Sequence, residues 1–216
     1  MDKGNAKITL AGIATAEIEE KKSVFIGSAS PVTDEESARS FIESVKKKYY
    51  DARHNVFAYL LDGGNISRYS DDGEPKGSAG IPMLNVLKMS GACDLCVVVT
   101  RYFGGILLGA GGLARAYSAA AKAAIDAAGF VTLRTFAILR IVCSYSDYQK
   151  ISSKLSSAGA TEDFADFGEN VTMTVSVLKE SASAVEYLVT QLTNGKCSAV
   201  TVGYEERGDN ASPKPF

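Results

Sequence analysis

Two glycine-rich runs in this chain hold side chains that could do chemistry. The first is Asp71-Asp72-Gly73-Glu74-Pro75-Lys76-Gly77-Ser78-Ala79-Gly80-Ile81-Pro82. The second opens at Thr100-Arg101-Tyr102-Phe103-Gly104-Gly105 and closes at Gly109-Ala110-Gly111-Gly112-Leu113-Ala114-Arg115-Ala116-Tyr117. Five of the twenty glycines fall between Gly104 and Gly112. Glycine costs backbone entropy and suits positive φ or close approach to another group. The only histidine, His54, lies upstream. Candidate binding residues are therefore His54, Asp72, Glu74, Lys76, Arg101, Tyr102, Gly104, Gly105, Gly111, Gly112 and Arg115.

These residues admit three chemistries, each with a plainer rival. Gly109 to Gly112 precede a helical pattern, so free N–H groups and a positive dipole end would suit a phosphate, with Arg101 and Arg115 adding charge-assisted bonds. The rival is close packing of helices on a sheet. Neither G-x-x-x-x-G-K-[ST] nor G-x-G-x-x-G occurs here. Asp71, Asp72 and Glu74 offer hard oxygen ligands for Mg²⁺ or an acid–base site. The rival is a turn, or a salt bridge from Asp72 or Glu74 to Arg101. No nucleophile elbow or H-E-x-x-H points to hydrolysis. The third chemistry is RNA binding, with Tyr69, Tyr102, Phe103 and Tyr117 near Arg68, Arg101 and Arg115 for stacking. Its rival places Phe103 and Tyr117 in a core.

The surrounding elements must bring these loops together. Strands are expected over 5–15 and 23–32, then a helix to about Lys48 with Thr33 as N-cap and Glu36 completing a capping box. A strand from Asn55 to Leu61 ends at Asp62-Gly63-Gly64-Asn65, a hairpin signal, and Ile66 to Ser70 returns. Pro82 suits the first turn of a helix. Leu95 to Tyr102 reads as a buried strand, and Leu113 to Ala128 as a helix stopped by Gly129. Arg101 thus sits at a strand's C-terminal end, where α/β sheets often hold ligands. The two loops should converge, with Arg101 near Asp72 or Glu74.

From about Arg134 the pattern restarts. Strand Phe136 to Cys143, a helix opened by Asp147, strands Ala160 to Phe167 and Val171 to Leu178, helix Ser181 to Leu192 and strand Cys197 to Tyr204 follow. That order, βαββαβ, is ferredoxin-like. The expectation is an α+β protein of two domains, 1–132 and 133–206, with a disordered tail at 207–216 that holds two prolines and little apolar content.

The segment Asp71 to Pro82, with Val97-Val98-Val99-Thr100-Arg101-Tyr102-Phe103-Gly104-Gly105 and Gly111 to Tyr117, resembles the YigZ/Impact family. Ala52-Arg53-His54-Asn55 and Ala58-Tyr59 resemble its histidine-containing segment. The resemblance covers roughly residues 5 to 130, and the second half looks like the bacterial two-domain form. It implies an N-terminal domain similar to domain 2 of small-subunit ribosomal protein five, an α/β sandwich, and a C-terminal domain similar to domain V of elongation factor G. It also implies regulation of translation, exerted in eukaryotes through a protein partner in a starvation-sensing kinase pathway. The partner class it points to here is the ribosome, RNA or a translation-related protein. A binding role is the first reading. An enzyme or small-ligand binder with a phosphate site formed by loops 71–82 and 100–112 is the alternative.

Composition narrows the setting. Hydrophobic content of 46% and charged content of 22% suit a globular chain, and no apolar run reaches the ~18 residues of a membrane span. The first residues lack the apolar core of a secretory signal, so a cytoplasmic protein is expected. Net charge is −2, with 15 basic and 15 acidic residues over 1–132 and 8 and 10 over the rest. Neither half announces a nucleic-acid binder. The run Lys46-Lys47-Lys48, with Arg53, reads as the solvated end of a helix or as a local basic patch. No cofactor is expected.

Cys93-Asp94-Leu95-Cys96 is a lone C-x-x-C. Structural zinc sites need four ligands, and redox C-x-x-C motifs open helices; this one enters a strand, so buried thiols are the simpler reading. Metal analysis of the purified protein should show no stoichiometric zinc. Zinc that is lost in Cys96→Ser would overturn this.

Overall fold

The structure, a computed structural model, describes residues 7–209. Within them the chain divides into two compact units, 7–132 and 133–208. The division falls inside a strand rather than a linker.

The first unit is built on the sheet β2-β3-β6-β4-β5. Its strands are β2 (Ala14–Glu20), β3 (Ser23–Pro31), β4 (His54–Leu61), β5 (Ile66–Ser70) and β6 (Leu95–Tyr102). Every pairing in it is antiparallel. Helix α1 (Glu35–Lys48) covers one face, while α2 (Gly80–Met89) and α3 (Gly109–Ala128) cover the other. Because successive side chains of a strand point to opposite faces, β6 is split between two cores. Leu95, Val97 and Val99 pack toward α2 and α3, and Cys96 and Val98 toward α1. Both sets are buried, which explains the unbroken apolar run.

The alanine face of α3 lets it lie close to the sheet. A Cβ on Gly27 of β3 would stand 2.5 Å from the Ala120 carbonyl oxygen and 3.0 Å from the Ala124 methyl. Only a residue without a side chain fits at that crossing.

The second unit contains β7 (Phe130–Cys143), α4 (Tyr145–Leu155), β8 (Ala160–Phe167), β9 (Val171–Leu178), α5 (Ala182–Leu192) and β10 (Ala199–Asp209). Its strands lie in the order β10-β7-β9-β8; the short strand β1 (Lys7–Leu10) belongs to the first unit. This is the ferredoxin-like βαββαβ arrangement. Leu139, Ile141, Met173, Val175 and Val177 form its core with Ile151, Val185 and Val189 of the two helices.

Several boundaries differ from the sequence reading. The first strand is two, because the chain bends at Ala11–Gly12. Helix α1 is capped by Asp34, not Thr33: its carboxylate accepts from Ser37 N–H at 2.7 Å, and Ser37 Oγ accepts from Asp34 N–H at 3.1 Å. The reciprocal partner is thus Ser37 rather than Glu36. Helix α3 starts four residues early, at Gly109, with its glycines inside the first turn. Helix α4 starts at Tyr145 behind Ser144, whose hydroxyl accepts from Asp147 N–H. The tail expected from Arg207 is strand as far as Asp209. Polar composition hid this, because Arg207 is held by charge: its guanidinium bonds Asp163, Glu205 and Ser176. Residues 210–216 of that expected tail lie outside the described residues.

Gly27→Ala should lower stability by about 1–3 kcal/mol, the usual range for overpacking a close contact. Gly12→Ala, with nothing within 4 Å of the added carbon, should not. Urea midpoints of the two variants check this.

Candidate functional site

Strand alternation places the candidate arginine. Arg101 follows Leu95, Val97 and Val99 on the α2/α3 face of β6, so its side chain enters the core side of the sheet. Its neighbours in the sheet are Phe25 on β3 and His54 on β4. Only 7% of Arg101 is exposed. The loop between β5 and α2 supplies its counter-ion. Arg101 NH1 donates to Glu74 Oε1 at 2.7 Å, and Glu74, 9% exposed, also accepts from the Tyr117 hydroxyl of α3 at 2.8 Å.

Aromatic rings enclose this pair. The Arg101 guanidinium lies 5.4 Å from the Phe25 centroid and 5.5 Å from that of Phe103. Phe25 meets Tyr117 edge-on at 5.2 Å. Such contacts favour a desolvated cation. Burial, followed by the Glu74 carboxylate, pushes the Tyr117 phenol far above its ordinary pKa, so it stays a donor. The Arg101 Nε is buried without a hydrogen-bond partner.

The other acidic residues of the first loop also turn inward. Asp71 accepts N–H bonds from Gly77, Ala79 and Gly80, filling the N-terminus of α2. Asp72 adopts φ 45° and accepts from Asn55 N–H at 2.7 Å. Its carbonyl oxygen lies 2.8 Å from His54 Nδ1, which places the proton on Nδ1 in the neutral ring. Gly73, at φ 87°, sits against that ring. On the α1 face the adjacent cross-strand pair closes as Thr100 Oγ1 donates to Asn55 Oδ1 at 2.7 Å. Among the described residues no cluster of three or more His, Cys, Asp or Glu side chains could hold a metal ion. The acidic loop is thus a set of backbone and arginine clamps.

The second loop is fastened at one point and exposed beyond it. A Cβ on Gly104 would stand 2.0 Å from the Lys22 carbonyl carbon and oxygen, and Gly104 N–H donates to Ser23 Oγ at 3.1 Å. Gly105 takes φ 85°. Tyr102 donates to Asp51 at 2.7 Å, and that hydrogen bond is the main reason its phenol is pushed up to about 12. Gly111 opens onto empty space and Gly112 packs on Leu108. The α3 N-terminus has no side-chain cap, in contrast to α2 with Asp71.

The sequence candidates thus separate into two groups. His54, Asp72, Glu74, Arg101 and Tyr102 join one hydrogen-bonded end of the sheet. Lys76, Gly105, Gly111 and Arg115 are exposed, and Gly104 and Gly112 half-buried, around it without entering that network. Arg101 and Tyr117 are buried and unavailable as stacking partners for a base. Arg68 points elsewhere, 3.8 Å from Glu35. Phe25, Asn55 and Asp51 escaped sequence reasoning. Phe25 falls in an alternating strand, but nothing local ties it to an arginine 76 positions later.

Together these elements define a two-unit α+β protein with a clamped glycine-rich site at one end of its first sheet. The Impact N-terminal domain profile matches residues 21–125, and a domain of unknown function, DUF1949, matches residues 141–196. The IMPACT family member YvyE of Bacillus subtilis is 40% identical over 181 residues, 83% of either chain. An IMPACT family member from Haemophilus influenzae is 30% identical over 183 residues, 83% of this chain and 89% of that one. A crystal structure of a hypothetical protein superposes with TM-score 0.63 at 29% identity, covering 92% of this chain and 98% of that one. The chain belongs to the Impact family. Among eukaryotic relatives, Protein IMPACT of Xenopus laevis is 34% identical over 98 residues, 43% of this chain and 31% of that one.

Removing one partner of a buried ion pair strands the other charge. Arg101→Ala should lower stability by about 3–5 kcal/mol. The double variant Arg101→Met/Glu74→Leu should recover part of that loss. Denaturant unfolding of the two variants and the parent checks both directions.

Proposed function

We propose that this protein is a cytoplasmic binding component of the translation apparatus, acting through non-covalent contact with the ribosome, RNA or a translation-related protein. One observation carries the choice of binding over catalysis. The groups that would serve an acid–base or phosphate-transfer site, Arg101 and Glu74, are joined at 2.7 Å and buried. A catalytic constellation needs its groups within reach of a reacting atom. Here they brace a surface instead. What remains accessible is the loop after β6, with Phe103, Ile106 and Leu107 exposed. No helix among the described residues is long and apolar enough to cross a membrane. Membership in the Impact family and the ferredoxin-like second unit support the translational setting, the latter by fold analogy only.

Crosslinking of the tagged full-length protein in cell extract tests the reading. Ribosomal RNA, ribosomal proteins or translation factors should be enriched over an unrelated tagged control of similar charge. Recovery of none of these classes overturns it.

A further inference from the structure

Although the first unit carries equal numbers of basic and acidic residues, its fold sorts them. Four connections meet at the end of the sheet where Arg101 lies. Gly104 rests on the turn between β2 and β3, at Lys22 and Ser23. Tyr102 bonds Asp51 in the connection from α1 to β4. His54 bonds Asp72 in the loop from β5 to α2. These connections bring Lys21, Lys22, Lys47, Lys48, Arg53 and Lys76 to one end, all exposed.

The acids of that end are largely consumed. Asp51 accepts from Tyr102, Asp71 and Asp72 accept backbone N–H bonds, and Glu74 holds Arg101. Glu19 and Glu20, at the close of β2, stay exposed. The opposite end carries Asp34, Glu35 and Glu36 at the start of α1 and Asp62 after β4, with Arg39 and Arg68 each 3.8 Å from Glu35 and Asp94 buried against Lys7. The exposed lysines and Arg53 thus give the Arg101 end a cationic rim.

Aromatic faces stand among the cations. Tyr50 is 86% exposed and Phe103 58% exposed. Phe103 has the Arg101 guanidinium against its ring, which holds it in place. Five strands at about 4.8 Å spacing make this end roughly 19 Å wide, enough for several nucleotides at the usual site sizes of about 4–16.

We infer that this end of the sheet is a docking surface for single-stranded RNA, with the lysines and Arg53 tracking the phosphates and Tyr50 and Phe103 stacking on bases. The inference rests on the binding role proposed above and gives that role its ligand and its surface. Exposed aromatic faces select a strand whose bases are free to splay, not a duplex. An anionic lipid surface would use the cations and leave the aromatics without base partners.

Fluorescence anisotropy of the full-length protein with a labelled single-stranded RNA of about 16 nucleotides, read across a salt series, tests it. The variant Lys47→Gln/Lys48→Gln/Arg53→Gln should bind at least tenfold more weakly. Its salt slope should be shallower by about 2, as expected for three lost phosphate contacts on a single strand. Tyr50→Ala/Phe103→Ala, which removes two stacking faces, should lose about thirtyfold or more, with the slope unchanged. Arg39→Gln/Lys88→Gln, away from this end, should match the parent. Thermal melts establish that each variant is folded. Equal affinity in the triple variant and the parent, or equal loss in the Arg39/Lys88 variant, overturns the surface. Tighter binding to phosphatidylserine vesicles than to RNA, with the same variant dependence, overturns the ligand. If the RNA fails to bind while extract crosslinking still recovers translation components, the docking surface falls and the binding role stands. If both fail, both fall.

Discussion

The ion pair between Arg101 and Glu74 is the constraint on which the site depends. An arginine in the core row of a central strand would be intolerable alone, since desolvating an ion costs several kcal/mol. Three elements remove that penalty together. The loop after β5 brings Glu74, α3 brings the Tyr117 hydroxyl, and Phe25 with Phe103 supplies aromatic faces. Each of these partners is fixed to a different part of the first unit. The pair therefore ties β3, β6, α3 and the acidic loop into one geometry. The unpartnered Nε of Arg101 marks a cost the arrangement carries, of about 1–3 kcal/mol for a buried unsatisfied donor.

The same economy governs the rest of the loop. Asp71 occupies the positive end of α2, where a free anion would otherwise be welcome. Asp72 holds the start of β4 through Asn55, and its carbonyl sets the His54 tautomer. Carboxylates that resemble a cation site in sequence are thus spent on orienting backbone. What results is a loop with Gly104 pressed on the β2–β3 turn and the apolar segment beyond it exposed to solvent.

Net charge is a poor guide when a fold separates charges. Equal counts of acids and bases argue against a polyanion partner only if they are mixed on the surface. Here hydrogen bonding withdraws the acids at one end, while α1 presents its acidic first turn at the other and its lysines at the end of the helix. That placement follows the helix dipole, so a local rule contributes to the cationic rim at one end of the unit.

Much of this protein was determined by sequence alone, for reasons that are local. Period-2 and period-3.6 apolar patterns depend only on neighbouring residues, and they gave β8 and β9 to the residue and the ferredoxin-like order of the second unit. The proximity of Arg101 to Asp72 or Glu74 followed from loop order and the cost of an unpaired buried charge, and tertiary structure chose Glu74. The N-cap expected at Thr33 falls one residue later, on Asp34, because both are good caps and only the backbone angle chooses between them. Tertiary structure alone decided the rest. Whether Tyr117 lies in a core or faces a ligand depends on Phe25 and Glu74, which are 92 and 43 positions away. The length of β10 depends on Arg207 finding Asp163 across the second sheet. The cationic rim of the first unit exists only once four connections, distant in sequence, meet at one end of a sheet, because long-range electrostatics belongs to positions in space and not to the order of residues along a chain.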